Sequence, residues 1–148
     1  MVTVLQRVSE GRVTVKGRVT GSIHGGLVIL IGVVKGDTEA DADYLVDKTV
    51  GLRIFGDETG KMNLSLSDVN GGALVVSQFT LCGDYRKGRR PSFDNAASPT
   101  EGCRLYDYFC ARLSAQGIRV ETGEFGAAMA VSLVNDGPVT FVLDSAGR

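Results

Sequence analysis

The stretch Ala73–Leu81, with the sequence ALVVSQFTL, changes from apolar to polar halfway along its length. Its first four residues are small and branched apolar side chains, which are typical of a strand that is covered on both faces. Ser77–Thr80 follows directly, and its polar side chains would be costly to bury without hydrogen-bonding partners or a ligand. Because strand ends rest on a rigid scaffold, we predict that Ser77–Thr80 forms the floor of a functional site. An ordinary strand edge with its hydroxyl groups in water is the alternative.

The composition predicts one globular domain that spans residues 1–148. Hydrophobic residues make up 43 % of the chain, which is enough for a core. A length of 148 residues is too short for two domains of typical size. The formal net charge is −1, so no global electrostatic field would attract a nucleic acid. Any anionic partner must therefore be held by a local cationic patch.

The sequence disfavours membrane, secretory and metal-binding classes. The N-terminal stretch MVTVLQRVSEGRV lacks the unbroken apolar region of a signal peptide, and the apolar run Leu27–Ile31 is too short to span a bilayer. Three cysteines without a C-x-x-C pair, together with the single histidine His24, form no ligand cluster for a metal. We therefore expect a cytoplasmic protein without metal or cofactor, whose cysteines are free and whose Cys103 and Cys110 face the core.

Two helices are predicted from apolar stripes with i, i+3, i+4 spacing. The first begins at Thr38, which forms a capping box with Asp41, and it ends at Gly51. The second has Ser98 as its N-cap and ends at Gly117.

Strands are predicted from period-two alternation and short apolar runs. They come in runs rather than alternating with helices, so we predict an α+β fold with mostly antiparallel, barrel-like sheets. Ser9-Glu10-Gly11 is predicted to be the turn between the first two strands. The predicted strands are Val2–Val8, Arg12–Lys16, Arg18–Ile23, Leu27–Val34, Arg53–Phe55, Met62–Leu66, Ala73–Val76, Ile118–Val120, Met129–Val134 and Val139–Leu143.

Gly137-Pro138 interrupts the last two predicted strands. Proline cannot donate to a sheet ladder, so the backbone must bend or leave the sheet at this point. An X-Pro peptide also adopts the cis form at modest cost. A plain hairpin turn at Asp136-Gly137 is the alternative interpretation.

Four cations lie within five positions of a polar segment: Arg86, Lys87, Arg89 and Arg90. A loop of this kind can hold phosphate groups, and the nearby Tyr85 and Phe93 offer stacking surfaces. A solvated charge cluster is the alternative. The sequence has no phosphate-binding loop and no zinc-protease or serine-hydrolase motif.

Together these segments resemble the D-aminoacyl-tRNA deacylase family. Its two signature segments match SQFTL at Ser77–Leu81 and NDGPVT at Asn135–Thr140, with no departure at a signature position. The match covers nearly the full length, in order and without large gaps. Further matching segments are LQRV at Leu5–Val8, RIF at Arg53–Phe55, KMNLS at Lys61–Ser65, RPSF at Arg90–Phe93, ASP at Ala97–Pro99, LYDYF at Leu105–Phe109 and VSLVNDGPVTF at Val131–Phe141.

The resemblance implies a homodimeric hydrolase that cleaves the ester between a D-amino acid, or a misattached glycine, and tRNA. It implies that the SQFT segment of one subunit meets a cis Gly-Pro step of the other, whose carbonyls reject an L-amino acid at Cα. The implied partner is tRNA, with no DNA, membrane, metal or cofactor. The implied catalytic residues are Ser77, Gln78, Phe79 and Thr80, and the implied residues of substrate binding and chiral selection are Gly137, Pro138, Asn135, Arg7, Phe125 and Met129. The local cation cluster is predicted to bind the phosphates of the tRNA, through Arg86, Lys87, Arg89 and Arg90.

Two mechanisms remain open at this stage. In one, the ribose 2′-hydroxyl of the substrate assists hydrolysis while backbone N–H groups near Phe79 and Thr80 bind the oxyanion. In the other, Thr80 is a nucleophile or positions water, which would require a nearby base that the sequence does not indicate. A tRNA-binding module without catalysis and a small-molecule Ser/Thr esterase are the rival functions.

Overall fold

The computed structural model describes residues 1–147, which form an α+β fold with two helices, one six-stranded sheet and one two-stranded sheet. Short 3-10 turns at Phe79–Cys82 and Ser145–Gly147 complete it. The helices are α1 (Glu39–Gly51) and α2 (Pro99–Ala115). The strands are β1 (Val2–Val15), β2 (Arg18–Ile23), β3 (Gly26–Gly32), β4 (Phe55–Gly56), β5 (Met62–Leu64), β6 (Gly72–Ser77), β7 (Arg119–Thr122) and β8 (Ala130–Asp144).

The large sheet is mixed, in the order β2-β1-β3-β6-β7, and β8 pairs with β1. Strands β2, β3 and β8 run antiparallel to β1, whereas β3, β6 and β7 are parallel to one another. Parallel neighbours need long crossover connections. Here α1 lies between β3 and β6, and α2 lies between β6 and β7. The prediction of mostly antiparallel sheets is therefore not confirmed, because the two helices supply crossovers that the pattern of strand runs did not reveal.

The long outer strands correct two local predictions. Ser9-Glu10-Gly11 is not a turn, because β1 continues through it and pairs with β8 on one edge. The turn lies instead at Lys16-Gly17, where φ is 49° and 79°. Likewise, the two strands predicted around Gly137-Pro138 form the single strand β8, so the hairpin interpretation is wrong.

The core lies between the sheet and the two helices, and the apolar stripes of both helices are buried as predicted. Thr38 and Asp41 form the predicted capping box of α1, and the Ser98 hydroxyl accepts a hydrogen bond of 3.3 Å from the Glu101 amide at the start of α2. Cys110 packs against the core as expected, whereas Cys103 is half-buried and its thiol contacts the Asp107 carboxylate; Cys82 is buried. All three cysteines are free.

The sheet curls into a nearly closed barrel. Its two end strands approach each other, with Gly21 of β2 next to Thr122 of β7. A Cβ at Gly21 would collide with the carbonyl oxygen of Thr122, so glycine is required for this approach. The Ser22 amide also donates to the Glu121 carboxylate, 3.3 Å away. Among residues 1–147, no helix is long and apolar enough to cross a membrane.

Candidate active site

A cavity of about 670 Å³ opens at the carboxyl end of β6. Its walls come from the ends of β3 and β6, the start of α2, and the segment that leads into β8. The Ala97 amide, which donates to the Val33 carbonyl over 2.9 Å, holds the start of α2 across the end of β3. The lining residues are Ile31, Val33, Val76, Ser77, Gln78, Phe79, Phe93, Ala96, Ala97, Ser98, Pro99, Gly102, Phe125, Gly126, Ala127, Met129 and Val131.

Ser77, Gln78 and Phe79 line this cavity, as the predicted site floor requires, but Thr80 is not among the lining residues. The strand ends at Ser77, which pairs with Ile31 of β3, and the Gln78 amide donates to the Ile31 carbonyl over 2.8 Å. The chain then turns into the 3-10 segment, whose first N–H groups have no partner within the turn. The Gln78 side-chain amide donates to the exposed Thr80 hydroxyl.

Aromatic rings form the rim of the cavity. Phe79 is 57 % exposed and packs edge-on against Phe93 with ring centroids 5.0 Å apart. On another wall, the Phe125 ring lies 5.8 Å from that of Tyr106, whose hydroxyl donates to the Val75 carbonyl over 2.8 Å. Burial raises the pKa of the Tyr106 hydroxyl, so this group stays a neutral donor. Tyr106 therefore connects one wall of the cavity to strand β6.

The Gly137-Pro138 segment lies elsewhere, in a bulge of β8 that faces Arg7 of β1. The pairing steps from Gln6 opposite Thr140 to Val8 opposite Asn135, so Arg7 alone faces the intervening residues. The Gly137-Pro138 peptide is cis. Neither residue lines the cavity of its own chain, and neither do Arg7 and Asn135.

Side chains hold this bulge in place. Arg7 Nε donates to the Asp136 carbonyl over 3.1 Å, while its Nη1 donates to the Ile54 carbonyl over 2.8 Å. Arg7 Nε also lies 3.5 Å from the Asp136 carboxylate. Asn135 accepts from the Val139 amide over 3.1 Å and donates to the Thr140 hydroxyl over 3.0 Å. The bulge is thus closed by polar side chains on both strands.

The cationic segment forms a closed loop beside the rim. Asp84 and Ser92 exchange two backbone hydrogen bonds of 2.8 and 2.9 Å, so the predicted cations lie on one short loop. The Arg86 guanidinium binds both carboxylate oxygens of Asp84, and this contact lowers the pKa of Asp84 to about 2. Lys87, Arg89 and Arg90 are exposed on the same loop.

The cavity is chemically simple. Its lining offers hydroxyl, amide and backbone groups on apolar walls, with no titratable side chain among the lining residues. No group of three or more potential metal ligands occurs within residues 1–147. Such a site can position and desolvate a reactive group, but it offers no side-chain general base.

Several lining residues were not predicted as site residues, among them Phe93, Ala97, Gly126 and Val131. Ser98 was predicted only as a helix cap, and nothing local in the sequence indicates that it faces the end of β6. By contrast, Phe125 and Met129, which follow from the resemblance alone, do line the cavity with Ser77–Phe79.

Residues 4–144 match the family model described as D-Tyr-tRNA(Tyr) deacylase. The chain belongs to the D-aminoacyl-tRNA deacylase family. The predicted resemblance is therefore confirmed. A D-aminoacyl-tRNA deacylase from Koribacter versatilis is 59 % identical and aligns over 98 % of this chain and 97 % of its own. One from Geobacter sulfurreducens is 58 % identical over 100 % of this chain and 97 % of its own.

Solved structures of similar chains support the same fold. A protein titled c-Myc DNA Unwinding Element Binding Protein superposes with a TM-score of 0.91 at 37 % identity, over 97 % of this chain and 98 % of that one. A probable eukaryotic D-amino acid tRNA deacylase superposes with a TM-score of 0.84 at 20 % identity, over 96 % and 97 % of the two chains. The fold of this chain is thus shared with both solved structures.

Proposed function

We propose that this chain hydrolyses the ester bond of D-aminoacyl-tRNA and releases the free D-amino acid and tRNA. The observation that carries the proposal is the cavity at the end of β6, where the signature residues Ser77–Phe79 lie on apolar walls without a titratable side chain. An activated ester with its own neighbouring hydroxyl is a substrate that such a site can cleave. Glycyl-tRNA is a second substrate, since glycine has no side chain to reject.

The proposed chemistry is hydrolysis assisted by the substrate. Water adds to the ester carbonyl and the bond between the carbonyl carbon and the ribose oxygen breaks. The adjacent 2′-hydroxyl passes its proton to the leaving oxygen and takes up the proton that the water loses. The N–H groups of Phe79 and Thr80, at the turn after β6, bind the developing oxyanion. The cavity holds the ester in a reactive position, which can itself supply a large share of the rate.

Thr80 is not the nucleophile in this proposal. A threonine hydroxyl must be activated by a base, and here its oxygen accepts a bond from the Gln78 amide. We therefore expect Thr80→Ala to keep substantial activity, and chelators to leave the rate unchanged. A loss of about 10⁴-fold, on the scale of removing a true nucleophile, would instead assign that role to Thr80.

Chiral selection is proposed to require a second copy of the chain. The Gly137-Pro138 bulge does not line the cavity of its own chain, yet Val131 of the same strand does. Strand β8 pairs only with β1 among the described strands, and the exposed side chains of Val134 and Val142 offer apolar surface to a second copy. In a homodimer, the Gly137-Pro138 carbonyls of one subunit would face the substrate Cα in the other and clash with an L side chain.

The decisive experiment measures deacylation of matched D- and L-aminoacyl-tRNA and of glycyl-tRNA, with sedimentation run in parallel. The proposal expects rapid turnover of the D and glycyl esters, little of the L ester, and twice the 15.7 kDa chain mass. Gly137→Val should depress activity on every substrate, because a Cβ at Gly137 would lie 2.6 Å from Val139 Cγ2 and 3.3 Å from Arg7 Nη2. An active monomer with unchanged selectivity would contradict the interface site.

The same assay separates the rival functions. Binding of tRNA without turnover would indicate a binding module, and hydrolysis of a simple ester that lacks RNA would indicate a small-molecule esterase. Since one structural relative carries a DNA-binding title, a DNA oligonucleotide serves as a competitor. We expect RNA to be preferred and the protein to act in the cytoplasm, where charged tRNA is found.

A further inference from the structure

The loop of residues 84–92, called the basic loop from here on, rises beside the mouth of the cavity. On one side, the Gly83 amide donates to the Thr80 carbonyl over 3.0 Å. On the other side, the Phe93 ring packs against Phe79 at 5.0 Å. Both ends of the loop are thus attached to the segment that follows β6. The loop therefore stands next to the rim of the cavity.

Arg86 is engaged within the loop itself. Its backbone amide and its Nε donate to Asp84 Oδ1 over 3.0 and 2.9 Å, and its Nη2 donates to Asp84 Oδ2 over 2.8 Å. A bidentate guanidinium–carboxylate pair has a defined geometry and compensates both charges. Arg86 therefore acts as a clamp on the loop, and its charge is not free for a phosphate group.

The other three cations differ from Arg86. Lys87, Arg89 and Arg90 are exposed and form no ion pair within residues 1–147. They leave a net positive charge at the rim of a protein whose formal net charge is −1. A local patch of this kind is complementary to the phosphates of a nucleic acid.

Tyr85 lies between the two members of the clamp and is 83 % exposed. The backbone on both sides of it is restrained, by the Asp84–Ser92 pairing and by the Asp84–Arg86 bonds. An aromatic side chain that is held out into solvent beside free cations is the arrangement that stacks unpaired bases.

We propose that Tyr85 stacks an unpaired base of the single-stranded 3′ segment of the substrate RNA, upstream of its terminal adenosine. Lys87, Arg89 and Arg90 bind the phosphates of the same segment, whereas Arg86 holds the loop in shape. This inference rests on the proposed function, since the cavity must hold the terminal ester. It divides the four predicted tRNA-binding cations into three phosphate ligands and one structural clamp.

The test compares kcat/KM on D-aminoacyl-tRNA with kcat/KM on the corresponding D-aminoacyl-adenosine, which lacks the upstream nucleotides. Loss of one base stack, at about 1–3 kcal/mol, corresponds to roughly a 5- to 150-fold fall in this ratio for Tyr85→Ala. Tyr85→Phe keeps the ring and should restore the ratio. An unchanged ratio in Tyr85→Ala, with both substrates still hydrolysed, would overturn the stacking role.

The cations are tested through salt dependence of RNA binding. Replacing Lys87, Arg89 and Arg90 with Gln should reduce the slope of log K against log salt by roughly 0.7 for each contact to single-stranded RNA. The double variant Asp84→Asn/Arg86→Gln leaves the loop charge unchanged, so it should keep the slope while lowering the tRNA-to-adenosine ratio. Lys48→Gln removes one exposed cation from α1 and is the control for a positive charge lost away from the loop, so it should change neither the slope nor the ratio.

The outcomes also separate this inference from the proposed function. If the wild-type protein hydrolyses neither substrate, the proposed function fails. If it hydrolyses both, but the triple variant keeps the full salt slope or the double variant keeps the full ratio, then the division of roles within the loop is wrong and the deacylase activity stands.

Discussion

The two signature segments are supported in opposite ways. Ser77–Phe79 lies at the end of strand β6, whose residues Ala73–Val76 are fully buried between two parallel neighbours. Gly137-Pro138 lies in β8, which pairs only with β1 and carries exposed side chains along most of its length. One segment is thus positioned by the hydrophobic core, and the other by hydrogen bonds from Arg7 and Asn135.

This difference indicates how each half of the proposed site should respond to mutation. A core-supported segment is disturbed only when packing fails, and packing failure destabilises the whole domain. A segment held by a few side-chain hydrogen bonds can be released while the domain stays folded. Substitutions can therefore affect the bulge separately from the floor of the cavity.

The largest effect is expected from Leu74→Ala in the middle of β6, where the side chain is fully buried. The lost burial and the cavity left behind should lower the free energy of unfolding by about 2–5 kcal/mol, measured by urea denaturation. The control Val19→Ala, at a position that is 58 % exposed on β2, should change it by less than about 0.5 kcal/mol. Equal losses in the two variants would contradict the core support of β6.

Arg7→Ala should release the bulge. It removes the donors to the Asp136 and Ile54 carbonyls, and bonds from a charged donor contribute about 1.5–3 kcal/mol each. Hydrogen exchange of the Val139 amide should accelerate while amides in β6 stay protected. Gln6→Ala is the neighbouring control, because its contact with Thr140 is 3.5 Å long and weak. Uniform loss of protection across the sheet would show that Arg7 supports the fold rather than the bulge.

Asn135→Ala should have a smaller effect on the same segment. Asn135 bonds both the Val139 amide and the Thr140 hydroxyl, and a neutral hydrogen bond contributes about 0.5–1.5 kcal/mol. Asn135→Asp keeps the acceptor for Val139 but loses the donor, so it should retain part of the stability seen in urea denaturation. If Asp destabilised the protein more than Ala, the acceptor role of Asn135 would be wrong.

The smallest expected effect is in the basic loop, where one ion pair, Asp84–Arg86, holds the segment in shape. Arg86 lowers the pKa of Asp84 to about 2 from an ordinary value of 3.8. Because the folded-state pKa is depressed, the contribution of this pair is present above pH 3.8 and is lost as the pH falls through about 2. An NMR titration of the Asp84 carboxyl should show this midpoint, and Arg86→Gln should move it back toward 3.8. An unchanged titration midpoint in Arg86→Gln would show that Arg86 does not hold Asp84 in its ionised form.

Local signals predicted the helices well. Thr38 and Ser98 cap them as expected, because a capping side chain bonds an amide only a few residues away. Strand boundaries were less predictable. Ser9-Glu10-Gly11 has the composition of a turn, yet it stays in β1 because β8 pairs along it.

In the candidate site, too, local features were predictable from the sequence and long-range contacts were not. The polar end of β6 and the interruption at Gly137-Pro138 are both visible in the chain, since a buried strand that turns polar and a proline within a strand each break a pattern. The cavity itself was not predictable from the residues one by one, because Phe93, Ser98 and Val131 reach it from separate elements.

The sequence by itself determined the family and the two helices, because these depend on residue identity and on contacts a few positions apart. Only the tertiary structure decided the mixed sheet, the continuous outer strands and the clamp between Asp84 and Arg86. It also placed the Gly137-Pro138 bulge outside the cavity of its own chain. The physical reason is that strand pairing and cavity walls join residues far apart in the chain, and their partners are fixed by packing rather than by local preference.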